Sequence, residues 1–273
     1  MKKRVISGLV LTILLVIIYF VNLPIVDTLF IFLVSALGIY EYNKAFKQKG
    51  HGLVPLVGYI SCLPLLLIGN INLNSKTILT IITITVPVLL IAMAIYIIIL
   101  NKKKNIVDVA ITLLSIVYIP FLFSFLKYIL SMENGRIYIL YVILGAFACD
   151  TFAFLVGVKF GKHKLSPNIS PKKTIEGSIG GILGVIVTYI LITIIANKFF
   201  NFNMNIIISL ISAIIVSVVG QFGDLFASLI KRYCGVKDFG SIMPGHGGVL
   251  DRLDSVLFVA PIVYIIIQLC NIL

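Results

Sequence analysis

TILTIITITVPVLLIAMAIYIIIL, residues 77–100, contains no charged residue. About 20 consecutive apolar residues suffice for a helix to cross the hydrocarbon core of a bilayer. Apolar runs of this kind recur along the whole chain, separated by short polar turns. They are continuous, whereas the strands of a membrane barrel alternate apolar and polar residues, so the spans are helical. A soluble alternative fails on composition: 12% charged residues against 60% hydrophobic leave too little charge to coat a globular surface. The fold class that follows is an all-α, polytopic integral membrane protein with about nine transmembrane helices.

The candidate spans are residues 6–22, 27–42, 54–70, 77–100, 107–127, 137–157, 179–198, 204–230 and 253–272. The first begins directly after MKKR and has no small-residue cleavage site behind it, so it reads as a retained span. Cys62, Cys149, Cys234 and Cys270 are dispersed, with no paired metal-ligand spacing. The chain is read as a single membrane domain, with N-terminal spans over about 1–130 and a catalytic portion over about 137–273.

Charge tests this arrangement. With a cytoplasmic N-terminus, Lys2–Arg4, Lys44, Lys47, Lys49, Lys102–Lys104, Lys159, Lys162, Lys164, Lys172, Lys173, Lys231, Arg232, Lys237 and Arg252 all fall on the cytoplasmic side. Only Lys76, Lys127, Arg136 and Lys198 remain for the other side. This is the positive-inside bias, and it is expected in a prokaryotic inner or plasma membrane. No soluble catalytic domain fits in loops this short. The absence of a basic–aromatic nucleic-acid module argues against a nucleic-acid partner.

Polar chemistry gathers in two cytoplasmic connections, 158–178 and 231–252, which place a candidate active site on the cytoplasmic side. GKHKLSPNISPKKTIEGSIGG, 161–181, offers Ser170, Lys172, Lys173, Thr174 and Glu176, a set suited to the phosphates of a nucleotide, although a basic loop starting a helix has the same composition. KDFGSIMPGHGGVLDRLDS, 237–255, carries Lys237, Asp238, His246, Asp251, Arg252 and Asp254 around a glycine-rich turn whose amides can face an anion. Asp251 and Asp254 are three apart and share a helix face, either as oxygen ligands or as ordinary first-turn charges. With Asp224 they suit Mg²⁺, and two cations could share them. Asp150 lies inside the sixth span, where an unpaired charge is costly, and is expected to line a polar cavity. His246 suits either a phosphate contact, protonation of a leaving group or a structural hydrogen bond.

GDLFASLIKRYCGVKDFGSIMPGHGGVLDRLDS, 223–255, closely resembles the signature of the phosphatidate cytidylyltransferase (CDP-diacylglycerol synthase) family. The matching positions are Ser228, Lys231–Arg232, Lys237–Asp238, Pro244–Gly248, Asp251–Arg252 and Asp254, and SPKKTIEGSIGG resembles a second block of that family. Ala227, Met243 and Phe154 depart from the usual Glu, Leu/Ile/Phe and Tyr. The resemblance implies that CTP and phosphatidate react to give CDP-diacylglycerol and pyrophosphate. It assigns catalytic roles to Asp224, Asp251, Lys237, Asp238 and His246, and a Mg²⁺ site to Asp224, Asp251 and Asp254. Ser170, Lys172, Lys173, Thr174, Ser228, Lys231, Arg232 and Arg252 then bind substrate. A homodimer is implied by resemblance alone. The alternatives are a CTP-dependent lipid-alcohol kinase, a cytidylyltransferase acting on an isoprenoid lipid, and a transporter, for which the inverted repeats are missing.

Overall fold

In this computed structural model the described residues are 16–66, 88, 91, 93–96, 98, 105–243, 245 and 247–272. Among them, six helices are long and apolar enough to cross a membrane, rather than the nine expected. The expected first and fourth spans, 6–22 and 77–100, lie largely outside the described residues. The third, 54–70, is corrected as far as it is described. It forms a short helix α2, Pro55–Ile60, followed by a 3₁₀ turn, Leu63–Leu66. Its end has a local cause: Ser61 Oγ donates back to the Gly58 carbonyl, and Pro64 brings no N–H to extend a helical ladder.

The chain folds as two compact units, Met1–Lys127 with Cys234–Asp251, and Tyr128–Tyr233 with Arg252–Leu273. In the first, α1 (Pro24–Gln48) starts at a proline preceded by extended Leu23, with Asp27 in its first turn. α3 (Ile106–Ile116) starts in a reciprocal capping box: Asp108 N–H donates to Asn105 Oδ1 at 3.1 Å, and Asn105 N–H donates to Asp108 Oδ2 at 3.0 Å. A π-turn, Val117–Phe121, absorbs Pro120 and passes into α4, Leu122–Leu130, so that 106–130 runs as one span. Loop amides at 52–54 are fastened by side chains: Gly52 to Asp108 Oδ1, Leu53 to Asn43 Oδ1 and Val54 to Thr112 Oγ1.

The second unit is a bundle of α5 (Gly135–Phe160), α6 (Ile175–Phe200), α7 (Ile206–Cys234) and α8 (Leu250–Ile272), the last beginning in the first unit. α5 and α6 pack without side chains between parts of their backbones. A Cβ at Gly180 would stand 2.5 Å from Val156, and one at Gly184 would enter the ring of Phe152. Gly177 and Gly181 similarly face Ala153 and Cys149. Such small-residue faces let membrane helices approach closely where lipid supplies no hydrophobic drive. Deeper in the bundle, Tyr141 and Thr193 share a hydrogen bond of 2.7 Å, and Thr193 donates to Ser209 at 2.7 Å.

α5 and α6 are joined by a two-stranded antiparallel hairpin, β1 (Lys164–Ser166) and β2 (Ser170–Thr174), paired Lys164 to Thr174 and Ser166 to Ser170. The all-α expectation holds for the spans, and this hairpin is the addition to it.

Candidate active site

The polar end of the second unit is built where the hairpin meets the C-terminal half of α7 and the start of α8. Thr174 closes β2 and caps α6, its Oγ1 accepting from Gly177 N–H at 3.1 Å. Glu176, in the first turn of α6, accepts from the backbone of Lys162 and His163 and from the His163 ring at 2.7 Å. These contacts hold the lysine-bearing strand against the helix. At the turn of the hairpin, Arg232 Nε donates to the Ile169 carbonyl at 3.3 Å.

Below the hairpin lies a cavity of ≈ 550 Å³, walled by Lys164, Lys172 and Lys173 above and by Asp150 and Asp224 within. At 1.5 Å per residue, Asp150 and Asp224 stand about 15 Å from the helix ends at Phe160 and Cys234. Lys173 Nζ is paired with Asp224 Oδ2. Asp254, buried on α8, has Oδ2 3.9 Å from Lys231 Nζ, while its Oδ1 accepts from Ser255 N–H at 2.8 Å. Ser255 Oγ reaches Asp150 Oδ2 at 3.5 Å. Asp150 feels the charges of Asp224, Lys173 and Arg252, and Asp254 those of Asp224, Lys231 and Asp150. Three carboxylates and three basic groups therefore share one field at the polar end of an apolar bundle.

Beside this cavity is a second of ≈ 550 Å³, lined mainly by apolar side chains including Phe222, Leu225, Phe226 and Phe258. Ser178 and Gln221 line both, and Ser178 Oγ donates to Gln221 Oε1 between them. A charged chamber and a greasy one thus share a hydrogen-bonded wall.

Comparison with known proteins gives the family. The cytidylyltransferase family profile matches residues 2–270. A phosphatidate cytidylyltransferase of Bacillus subtilis (strain 168) is 31% identical over 271 residues, 98% of each chain. The chain belongs to the phosphatidate cytidylyltransferase family. Relatives of the same description from Staphylococcus haemolyticus (strain JCSC1435) and Thermotoga maritima are 35% and 36% identical, over 63% and 57% of this chain and 64% and 58% of their own lengths. These two matches thus span less than two thirds of the relatives concerned.

Within a cytidylyltransferase of this family, the sequence-derived site residues fall into two groups. In the second unit the structure brings together Asp150, Lys172, Lys173, Thr174 and Asp224 around the cavity, with Lys231, Arg252 and Asp254 in the surrounding field. Ser170 opens β2 opposite Ser166, and Ser228 is buried one turn beyond Asp224. The Thr174 hydroxyl and the Glu176 carboxylate serve the local architecture as cap and strap. In the first unit, Lys237 and Asp238 are exposed, and Asp251 Oδ2 accepts from Phe239 N–H at 2.8 Å and Gly248 N–H at 2.9 Å. His246 and Pro244 lie outside the described residues.

Among the described residues, no three histidine, cysteine or acidic side chains surround a single cation position. The donor set nevertheless fits a hard divalent ion in charge and chemistry. Asp150, Asp224 and Asp254 repel one another, and Lys173 and Lys231 supply the positive charge that faces them.

Sequence reasoning missed Gln221, Ser178 and Glu41. Gln221 and Ser178 carried a signal, being polar residues beside glycines, one midway along an apolar helix and one in the first turn of another. Glu41 carried none beyond being an acid within a span. It is fully buried in α1, where its carboxylate accepts from the backbone N–H groups of Val249 and Leu250.

Proposed function

We propose that the cavity of the second unit is where CTP and phosphatidate meet, and that its basic rim lies at the cytoplasmic face of the membrane. The enzyme is a nucleotidyltransferase that converts CTP and phosphatidate to CDP-diacylglycerol and pyrophosphate. A phosphate oxygen of phosphatidate attacks the α-phosphorus of CTP. The bond from that phosphorus to the bridging oxygen of the β-phosphate breaks, and pyrophosphate leaves with the electron pair. Little covalent help from the protein is needed; alignment and neutralisation of charge carry the rate.

Lys172 and Lys173, on a strand strapped to α6, hold the triphosphate at the cavity mouth. Lys231, Arg232 and Arg252 balance the phosphates and the carboxylates, and Ser228 donates a hydrogen bond to phosphate. Lys237 and Asp238 are assigned to the reaction by the sequence motif alone. Mg²⁺ would be held by Asp224 and Asp254, with Asp150 adding to the field. Asp251 is a candidate ligand on the sequence motif alone, and its Oδ2 accepts from two loop amides. When bound, the ion would supply charge neutralisation at the reacting phosphates.

The observation that carries this reading is the wall shared by the two cavities. A lipid phosphate must reach charge while its acyl chains stay in apolar surroundings, and Ser178–Gln221 separate such environments. The excess of basic residues on the segments bordering the cavity supports the cytoplasmic orientation.

The test is purified protein in lipid with labelled CTP and Mg²⁺, offered phosphatidate or a prenol in separate reactions. Pyrophosphate and CDP-lipid formation are expected from phosphatidate. A phosphorylated lipid with CDP release would overturn the reading in favour of a kinase.

A further inference from the structure

The glycine-rich segment of the first unit is fastened by a carboxylate from more than 200 positions earlier in the chain. Glu41 Oε1 accepts from Val249 N–H at 3.0 Å and Oε2 from Leu250 N–H at 2.9 Å. These are consecutive amides at the N-terminal end of α8, among those that a helix cannot satisfy internally. A local Ser, Thr, Asp or Asn at the cap would ordinarily serve, but residues 248 and 249 are Gly and Val. The chain instead presents glycines to Glu41. A Cβ at Gly240 or at Gly248 would run into the Glu41 carboxylate.

Asp251 completes the fastening. Its Oδ2 binds Phe239 N–H and Gly248 N–H, and Phe239 stacks on Tyr42, the residue after Glu41, at 6.4 Å between centroids. Between these ties Met243 N–H donates to the Gly247 carbonyl at 2.9 Å, and Gly245 and Gly247 take φ of +80° and +89°. The loop that carries Lys237, Asp238 and Asp251 is therefore fixed at both ends, by one carboxylate of its own and one from α1. Placing a carboxylate out of water is costly unless its hydrogen bonds are fully made, so a purely space-filling role would favour an apolar side chain.

We infer that Glu41 is a positioning residue of the transfer reaction, acting through the backbone of the 239–250 loop on the motif residues that it carries. The inference rests on the proposed roles of Lys237, Asp238 and Asp251. Glu41→Gln keeps the volume but turns one acceptor into a donor facing an N–H. In lipid nanodiscs this variant should lose on the order of 10-fold to 100-fold in kcat. KM for phosphatidate should stay within about twofold. Hydrogen–deuterium exchange should rise in peptides covering 239–250 and remain unchanged in α5 and α6.

A kcat within about threefold of wild type would overturn the inference, as would faster exchange throughout the protein with a matching rise in phosphatidate KM. If Glu41→Gln cannot be purified folded, Gly248→Ala is decisive, because its new methyl enters the same carboxylate. Its loss should be partly relieved when Glu41→Asp withdraws that carboxylate by one methylene; simple additivity of the two losses would refute the coupling. Wild-type protein that makes no CDP-lipid would instead defeat the proposed function, and the exchange measurement would still report on the anchor.

Discussion

Three acids of the first unit and three of the second are partnered in opposite ways. Glu41, Asp108 and Asp251 turn their oxygens to backbone N–H groups: Val249 and Leu250, Gly52 and Asn105, Phe239 and Gly248. Asp150, Asp224 and Asp254 instead share one electrostatic field with Lys173 and Lys231, although Asp254 also accepts from the Ser255 amide. Backbone amides are fixed dipoles that a carboxylate can satisfy once, permanently. Lysine side chains are movable charges that an incoming phosphate or cation can re-pair. The first arrangement suits a scaffold, and the second suits a site through which charged substrates pass.

The contrast can be broken most directly at Asp224. Asp224→Asn removes a charge from the shared field and should lower CDP-lipid formation about 100-fold or more, measured with labelled CTP. Activity retained at wild-type level would place the reacting centre elsewhere. Next in size is the glycine face of the second unit: Gly180→Ala brings a methyl against Val156 and should cost about 1–3 kcal/mol, read by thermal unfolding in detergent. A stabilised variant would show that α5 and α6 yield easily.

Asp108→Asn sharpens the comparison from the other side. It weakens the capping box and the tie to Gly52, so about 1 kcal/mol of stability should be lost while kcat is unchanged. A selective loss of kcat would mean that Asp108 is not simply structural. The smallest effect belongs to Glu176→Gln. The exposed strap to His163 is screened by water and should contribute little to global stability. Its loss should show chiefly as faster proteolysis of the hairpin, and an unchanged cleavage rate would dismiss the strap.

Much of this was legible in the sequence because lipid forces long apolar runs into helices, and five expected spans, from 107–127 onward, together with 27–42, match long helices. The charged lining of the cavity was legible too, since Asp150 and Asp224 stand out against leucine and isoleucine. What the sequence hid depended on distance along the chain. Glu41 meets its partners across more than 200 positions, and no periodicity announces such a tie. The β-hairpin was hidden for a different reason: a five-residue strand, SPKKT, rich in lysine and proline has none of the alternation that marks a strand. The described part of the third expected span is a short helix and a 3₁₀ turn, which hydropathy misses because it counts residues without asking whether Pro64 can donate to a ladder.

The glycine face of α6 has one further consequence. With backbone meeting backbone at Gly177, Gly181 and their partners, α5 and α6 cannot slide past each other without a ridge striking a ridge. A change in bilayer thickness that tilts one must tilt both, carrying the hairpin along like a blade on a shared mast. Lys173 and Asp150, carried on elements joined through this contact, then stay on the wall of one cavity.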